Sequence, residues 1–378
     1  MSLLSTGVFG TSKKESEKRV PIHPGQLLWI KEDIRKHLFF EKGYGQPFGY
    51  DDNYFVKNSG GILSRHELFN RDLIILPKPV QGDFDEMKQE GIIWGWPHCV
   101  QQSEITQSAI DKKLTLIAWE SMHKWTKGGD WIFHIFQKNN EMAGYAAVLH
   151  ALGLAGKDGN YGPHLKAVVI SFGSVSRGAI TALRAVGIHD ILVLTHRHST
   201  LVADQMSGIE YIHYEEHGDD DLIAVSPSGK EEPIMNVFHN ADIIVNGILQ
   251  DTDHPTMFIK KGEVDYLKPG CLIVDISCDL GMGFYFARPT SFKNPMFMEG
   301  NVNYYAVDHT PSYLWDSASW EISMSILPYL PMVMKGEESW LANDTVNRSI
   351  EILNGKIKNE KILSFQKRKE EYPYPAMA

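Results

Sequence analysis

The chain has 378 residues, 43% hydrophobic and 22% charged, with a formal net charge of −10. That length exceeds one core and asks for two domains, and the acidic balance disfavours nucleic acid or an anionic membrane as partner, leaving a small molecule as the expected ligand. Cys99, Cys271 and Cys278 form neither a paired framework nor a metal-site spacing, and there is neither a basic-then-apolar leader nor an apolar run of about 18 residues, so a soluble protein of the reducing cytoplasm is expected.

From the amino terminus, short apolar runs alternate with glycine-rich turns such as Lys42–Tyr50. Leu73–Leu76, Gly91–Trp96 and Leu114–Trp119 are predicted strands. Asn140–Leu154 has helical periodicity and many small residues, which suits a helix between two domains. Ala167–Ser171 is a β-branched run of the kind buried on both faces of a parallel sheet, followed by a small-residue turn and a helix opening at Ser174. Asp190–Leu194 is a second strand at the spacing of one crossover unit, and Asp242–Val245 and Cys271–Ile276 are further strands. The acidic stretch Glu215–Asp221 reads as a solvated loop, and Phe284–Phe286 and Tyr304–Tyr305 as core. Trp315–Leu330 is predicted as a helix ended by a proline-containing turn, Glu338–Leu353 as another helix, and 366–378 as a loosely held tail.

The turn after the first of these crossover strands carries an incomplete G-x-G-x-x-G, with Ser171, Gly173 and Ser176 at the glycine places. Ser171 must then turn the chain without glycine's freedom at positive φ. Gly173 lets the backbone approach a pyrophosphate, and Ser174, Val175 and Ser176 open a helix whose free N–H groups would face it. The second strand runs into Thr195-His196-Arg197-His198-Ser199-Thr200, with no carboxylate until Asp204. A carboxylate there would repel a 2′-phosphate and a guanidinium would bind it, so NADP(H) is expected over NAD(H), with Arg197, His198 and Ser199 as contacts. His196 and His198 alternate like metal ligands but lack a cluster around them, so no metal is expected.

Four polar residues stand at the ends of apolar runs in the first part of the chain, where an open α/β sheet places its ligand: Arg19, Lys78, His98 and Glu120. A guanidinium offers a bidentate fork to a carboxylate. An imidazole, with an ordinary pKa of about 6.5, gives and takes protons near neutrality, and a lysine beside it polarises a carbonyl or shuttles the proton. Trp96, Trp125 and Trp315 would supply aromatic walls, with Glu120 as an anionic contact for a distal ammonium. Cys99, beside His98, reads as inert packing.

Arg19, Lys78 and His98, followed by AGYAAVL (143–149), SFGSVSRGA (171–179), NGI (246–248), VDISCD (274–279) and DHTPS (308–312), resemble the alanine dehydrogenase and transhydrogenase superfamily over roughly residues 7–335. Within it the chain looks most similar to the carboxyethyl-ornithine synthases and then to the lysine-forming saccharopine dehydrogenases. The resemblance implies two α/β Rossmann-like domains with parallel twisted sheets and an active-site cleft between them, residues 1–138 completed by 300–378 forming the catalytic domain and 139–299 the dinucleotide domain. It also implies a dehydrogenase or imine reductase of CH–NH groups: an amino acid amine such as ornithine or lysine condenses with pyruvate or 2-oxoglutarate, and the imine is reduced. By position Arg19 would hold a substrate carboxylate, Lys78 and His98 would be the acid–base pair, Asp308 would lie near the substrate, and Asn246, Gly247 and Asp279 near the cofactor. Pro79 stands where alanine and saccharopine dehydrogenases usually have glutamate, while GWPH (95–98) resembles the GW-x-H of the carboxyethyl-ornithine synthases, which favours the opine-type reaction. The alternatives are oxidative deamination of the saccharopine or alanine dehydrogenase kind, and a catalytically silent NADP-binding sensor or subunit. A homo-oligomer is compatible with all three.

Overall fold

The computed structural model describes residues 3–218, 221–251 and 254–377. The chain divides into two compact units, Met1–Gln137 with Trp315–Ala378, and Lys138–Leu314.

The first unit is built on an eight-stranded sheet, in spatial order Lys356–Ile357, Ile350–Leu353, Thr115–Ala118, Ile92–Gly95, Leu73–Ile75, Thr6–Val8, Leu38–Glu41 and Gly61–Leu63. The six strands from Thr115–Ala118 onward are parallel, and Ile350–Leu353 pairs antiparallel with both of its neighbours. Such strands are covered on both sides, which is why their sequences are continuously apolar rather than alternating. Leu73 and Ile75 join Val8, Phe40, Trp94 and Ile117 in one buried cluster, while Ile74 and Leu76 join Phe9, Ile93 and Leu116 in another. The return segment contributes to each, with Ile322, Ile326, Leu330 and Trp340 in the first and Ile352 and Ile362 in the second.

Two expectations for that segment are corrected. Residues 338–353 are not one helix: Glu337–Leu341 and Asp344–Asn347 are short helices and Ile350–Leu353 is a strand. The Asn343 side chain accepts the N–H of Val346 and restarts the helix, and the apolar, isoleucine-rich IEIL then pairs with Thr115–Ala118. Nor is the tail loose. Arg368 is buried and donates to Gln366, Gln107 and the Tyr374 carbonyl, so its polar groups are satisfied inside the protein.

The second unit holds a nine-stranded sheet in the order Glu231–Pro233, Asp221–Val225, Glu210–His217, Asp190–Thr195, Lys166–Ile170, Ile243–Asn246, Leu272–Asp275, Val302–Tyr305 and Met296–Glu299. The six strands from Glu210–His217 to Val302–Tyr305 are parallel, and the remaining edge pairings are antiparallel. Because Val302–Tyr305 pairs with Leu272–Asp275, the chain returns to the first unit at residue 315 and not at 300. The acidic stretch is corrected as well. Glu215–His217 lie in a strand paired with Asp221–Val225, while residues 219 and 220 fall outside the described residues. Phe284, Phe286, Tyr304 and Tyr305 are buried, as their composition suggested.

The helices Gln137–Ala155 and Ser174–Ala185 meet at two glycines. A Cβ on Gly144 would lie 1.9 Å from the Val175 carbonyl oxygen, and one on Gly178 would lie 1.7 Å from that of Glu141. No other residue allows the two backbones to come so close.

Candidate functional site

In the first unit, Leu73–Ile75, Ile92–Gly95 and Thr115–Ala118 lie side by side with Ile75 level with Trp94 and Gly95 level with Ala118. Their carboxyl ends therefore share one edge, and Lys78, His98 and Glu120 follow just beyond them. Gly95 permits the approach, since a Cβ there would lie 1.9 Å from the Leu76 carbonyl oxygen. Lys78 Nζ is 2.9 Å from His98 Nε2. A lysine ammonium donates to that nitrogen and leaves the neutral imidazole's proton on Nδ1, whereas a neutral amine accepts from Nε2–H. Either way a proton passes between the two groups along one hydrogen bond.

His98 has φ +50, uncommon for a residue other than glycine. Its backbone N–H donates to Glu120 Oε1 at 2.7 Å, and its Nδ1 lies 3.9 Å from the same oxygen. Glu120 Oε2 is buried with no hydrogen-bond partner among the described residues. Burial first, and then the neighbouring Glu351 carboxylate, hold Glu120 above the usual carboxylate range. Burial raises Glu351 too, although its carboxylate accepts from Ser121 Oγ at 2.6 Å and Asn359 Nδ2 at 2.7 Å. Burial also drives the Cys99 thiol well above its ordinary value, so no reactive thiolate stands beside His98.

Arg19 is buried, but Nε and Nη2 of its fork already bind Glu17, at 2.8 Å to Oε1 and 2.5 Å to Oε2. Its guanidinium also sits 5.3 Å from the Trp96 ring centroid. Glu17 is missed by sequence reasoning because a glutamate in the charged run KKESEKR reads as solvated. The aromatic residues are partly engaged elsewhere: Arg348 lies over Trp125 at 4.4 Å, and Trp315 packs on Phe48 at 5.0 Å. The structure brings Lys78, His98 and Glu120 together, with Arg19 against Trp96 in the same unit.

In the second unit, Ser171 has φ +76, the conformation for which the fingerprint uses glycine. Gly173 caps the helix Ser174–Ala185 with φ −82, so its value is room and not backbone freedom. A Cβ there would meet only Ser171 Oγ, at 3.9 Å. The helix start has neither a side-chain cap nor an acidic residue in its first turn, while Ser174 and Val175 are half-buried. Ser176 is buried and donates to the Ile170 carbonyl, a packing role. Gly247 donates to that carbonyl as well, at 3.3 Å.

The ribose-end loop is exposed at Arg197 and His198, and among the described residues no carboxylate pairs with the Arg197 guanidinium, whose backbone N–H donates to Thr195 Oγ1 at 3.2 Å. His198 Nδ1 accepts the Thr200 N–H at 3.3 Å and lies 2.7 Å from Thr200 Oγ1, which turns Nε2 away from the loop. Ser199 is half-buried, and its carbonyl accepts from Gln205. Open space at Gly173, an uncapped helix start and an unpaired guanidinium at the second strand end fit the phosphates of a dinucleotide. Among the described residues no group of three or more His, Cys, Asp or Glu side chains is placed to hold a metal, and no helix is long and apolar enough to cross a membrane.

Asn246 is held by its neighbours: Nδ2 donates to Asp275 Oδ1 at 3.0 Å and Oδ1 accepts the Ile248 N–H at 3.3 Å. Asp275 also accepts from Tyr304 Oη at 2.6 Å and the Cys278 N–H at 3.1 Å. Burial nevertheless pushes it up to about 6, and burial raises Asp279 as well. Asp308 Oδ1 binds Nδ1 of the buried His309 at 2.7 Å. Asp275 is missed as an individual residue because it closes the apolar run LIVD, where a lone acid reads as a strand end.

Residues 162–360 match the C-terminal domain of the alanine dehydrogenase/PNT family and residues 11–134 match its N-terminal domain. The chain is similar to N(5)-(carboxyethyl)ornithine synthase from Clostridium botulinum, 25% identical over 82% of this chain and 88% of that protein. It is also similar to alanine dehydrogenase 1 of Staphylococcus aureus, 22% identical over 93% of this chain and 94% of that one. Among solved structures, an L-alanine dehydrogenase superposes with a TM-score of 0.75 at 18% identity, covering 95% of this chain and 98% of its own. A transhydrogenase from Sinorhizobium meliloti gives 0.67 at 15% identity, covering 94% and 98%.

Proposed function

Because the chain belongs to the alanine dehydrogenase/PNT family, we propose that this oxidoreductase, which uses a nicotinamide cofactor, joins the amine of an ornithine- or lysine-like amino acid to a 2-oxo acid by reductive condensation. The observation that carries the reading is the 2.9 Å contact between Lys78 Nζ and His98 Nε2. The amine adds to the carbonyl to give a carbinolamine, loss of water gives an imine, and a hydride to carbon with a proton to nitrogen converts the imine to a secondary amine. The first two steps need a group that gives a proton to the carbonyl oxygen and then to the departing hydroxyl, and a hydrogen-bonded lysine–imidazole pair performs both. When bound, the nicotinamide supplies the hydride. Gly173, Ser174 and Val175 would hold its pyrophosphate, with Arg197, His198 and Ser199 at the ribose; Arg197 favours NADP(H).

Arg19 would take a substrate carboxylate by exchanging it for that of Glu17, since the Nε and Nη2 side of its fork is engaged. Glu120, raised by burial and by Glu351, is a weak counter-ion for a distal ammonium near neutrality and serves better as the acceptor for His98 N–H. Asp279 and Asp308 would flank the nicotinamide and the substrate. Pro79 stands where alanine and saccharopine dehydrogenases usually have glutamate, which supports condensation over deamination. The name of the Clostridium relative points the same way, whereas the alanine dehydrogenases, matched over more of the chain, favour the second reading of oxidative deamination.

The test is incubation with NADPH, pyruvate or 2-oxoglutarate, and ornithine or lysine, followed by mass spectrometry of the product. A secondary amine is expected, with kcat lowered by about 10²–10⁴-fold in Lys78→Met and His98→Gln. NADPH loss with pyruvate and ammonia but with no amino acid pair would overturn condensation in favour of deamination. Tight cofactor binding without turnover of any pair would leave the sensor reading.

A further inference from the structure

The segment after Ser364 ends against the turn that carries His98. Gln366 Nε2 donates to the Cys99 carbonyl at 2.6 Å, to that of Val100 at 3.1 Å and to Thr106 Oγ1 at 3.2 Å. Gln366 Oε1 accepts from Arg368 Nε at 2.7 Å, which fixes which end of the amide faces the turn. Arg368, only 6% exposed, is held in place as it donates to Gln107 Oε1 at 2.8 Å, the Tyr374 carbonyl at 3.1 Å and the Ser103 carbonyl at 3.3 Å. The tail is then closed on itself by Lys369 N–H to Pro375 at 2.9 Å and Met377 N–H to Lys367 at 2.7 Å.

On the other side of the turn, His98 N–H is bound by Glu120 Oε1, Thr106 Oγ1 donates to the Cys99 carbonyl at 2.8 Å, and the His98 carbonyl accepts the Gln102 N–H at 3.0 Å. A left-handed residue other than glycine persists only where its surroundings over-determine it. Here the backbone is gripped on the N–H of His98 and on the carbonyls of the two residues that follow. Cys99 is only 1% exposed, so its carbonyl depends on partners inside the protein. The buried Arg368 guanidinium ties the tail to Gln107, Ser103 and Tyr374 and, through Nε, holds the Gln366 amide toward this turn.

We propose that residues 366–377 form a clamp on the acid–base histidine, in which Gln366, oriented by Arg368, fixes the turn at Cys99 and Val100 and so directs the His98 ring onto Lys78. Both are positioning residues. The inference rests on the reading of His98 as the acid–base group, and its test must move independently of that reading.

The experiment uses the full chain with 13C-labelled histidine. The His98 ring resonance is assigned by its disappearance in His98→Gln and followed through a pH titration in wild type and in Gln366→Met, which keeps the side-chain volume and removes the donor. The expected result is a displaced His98 resonance with a changed titration midpoint, and a kcat about 10–100-fold lower with an altered pH profile and unchanged NADPH affinity, the cost of a small misplacement of a reacting group. A His98 resonance and midpoint identical to wild type would overturn the clamp, whatever happens to kcat. A displaced resonance in a protein that condenses no amine with any oxo acid would uphold the clamp and defeat the functional reading. Should Gln366→Met fail to fold, Arg368→Lys releases the Gln366 amide oxygen while keeping the charge, and the same two outcomes decide.

Discussion

At the level of single residues, the proposed cofactor contacts rest on Ser171, at φ +76, and on Arg197, whose guanidinium has no carboxylate partner among the described residues. A charge-assisted hydrogen bond contributes about 1.5–3 kcal/mol, or roughly 10–150-fold in affinity. Arg197→Ala should therefore weaken NADPH by that factor and leave NADH nearly unchanged, as measured by fluorescence titration. Equal loss for both cofactors would assign Arg197 to the fold. Asp275 makes a second prediction. Its folded-state value of about 6 lies above the ordinary carboxylate value of about 3.9, so the stability it contributes is complete below about pH 4 and is lost as pH rises through about 6. A difference of that size between the folded and unfolded chain corresponds to about 3 kcal/mol. In urea titrations between pH 4 and pH 7, Asp275→Asn should flatten the decline by about that amount, and parallel curves would show that the shift is absent. That Lys78 and His98 come together was legible from their joint placement after neighbouring apolar runs, since the carboxyl ends of adjacent parallel strands share one sheet edge. Glu17 and Glu351 were not, because partners far along the chain, or hidden in a charged run, decide whether a glutamate is buried.

Among the elements, the helix pair Gln137–Ala155 and Ser174–Ala185 is the tightest contact described. Gly178→Ala would gain helix propensity of about 1 kcal/mol, yet its methyl would sit 1.7 Å from the Glu141 carbonyl oxygen, and backbone cannot yield as a side chain does. The expected net effect is a destabilisation of about 1–3 kcal/mol. Gly153→Ala, on the first helix with nothing within 4 Å of its Cβ, should instead stabilise by about 0.5–1 kcal/mol. Thermal unfolding of the two variants beside wild type checks both signs, and a stable Gly178→Ala would mean that the helices can move apart. The parallel strands could be read from their sequences because burial on both faces leaves a continuous apolar run, and the turn at Ser171–Gly173 from its small residues between such a run and a helix. Ile350–Leu353 could not: its apolar residues fit helical spacing equally well, and what makes it a strand is Thr115–Ala118, more than 200 residues earlier in the chain.

For the whole molecule, the division into two units was legible from length and from the helix-like stretch at 140–154, but the return at 315 was not. It depends on Val302–Tyr305 pairing with Leu272–Asp275, a long-range choice that periodicity does not encode. The discontinuity has an energetic consequence. Ile322, Ile326, Leu330, Val333 and Trp340 are buried in the first unit's core, and each contributes about 1.5–3 kcal/mol. Together they supply roughly 8–15 kcal/mol, as much as the entire stability of a typical domain, about 5–15 kcal/mol. Without them, residues 1–137 also expose Thr115–Ala118 as an unpaired apolar edge. Residues 138–314 keep their whole sheet and both of their buried clusters. A fragment of residues 138–314 should therefore fold alone and bind NADPH, whereas residues 1–137 should remain unfolded or aggregate until residues 315–378 are supplied with them. Circular dichroism and NADPH titration of the separate and mixed fragments provide the measurement. Cooperative unfolding of 1–137 by itself would show that the return segment decorates the first unit rather than completing it.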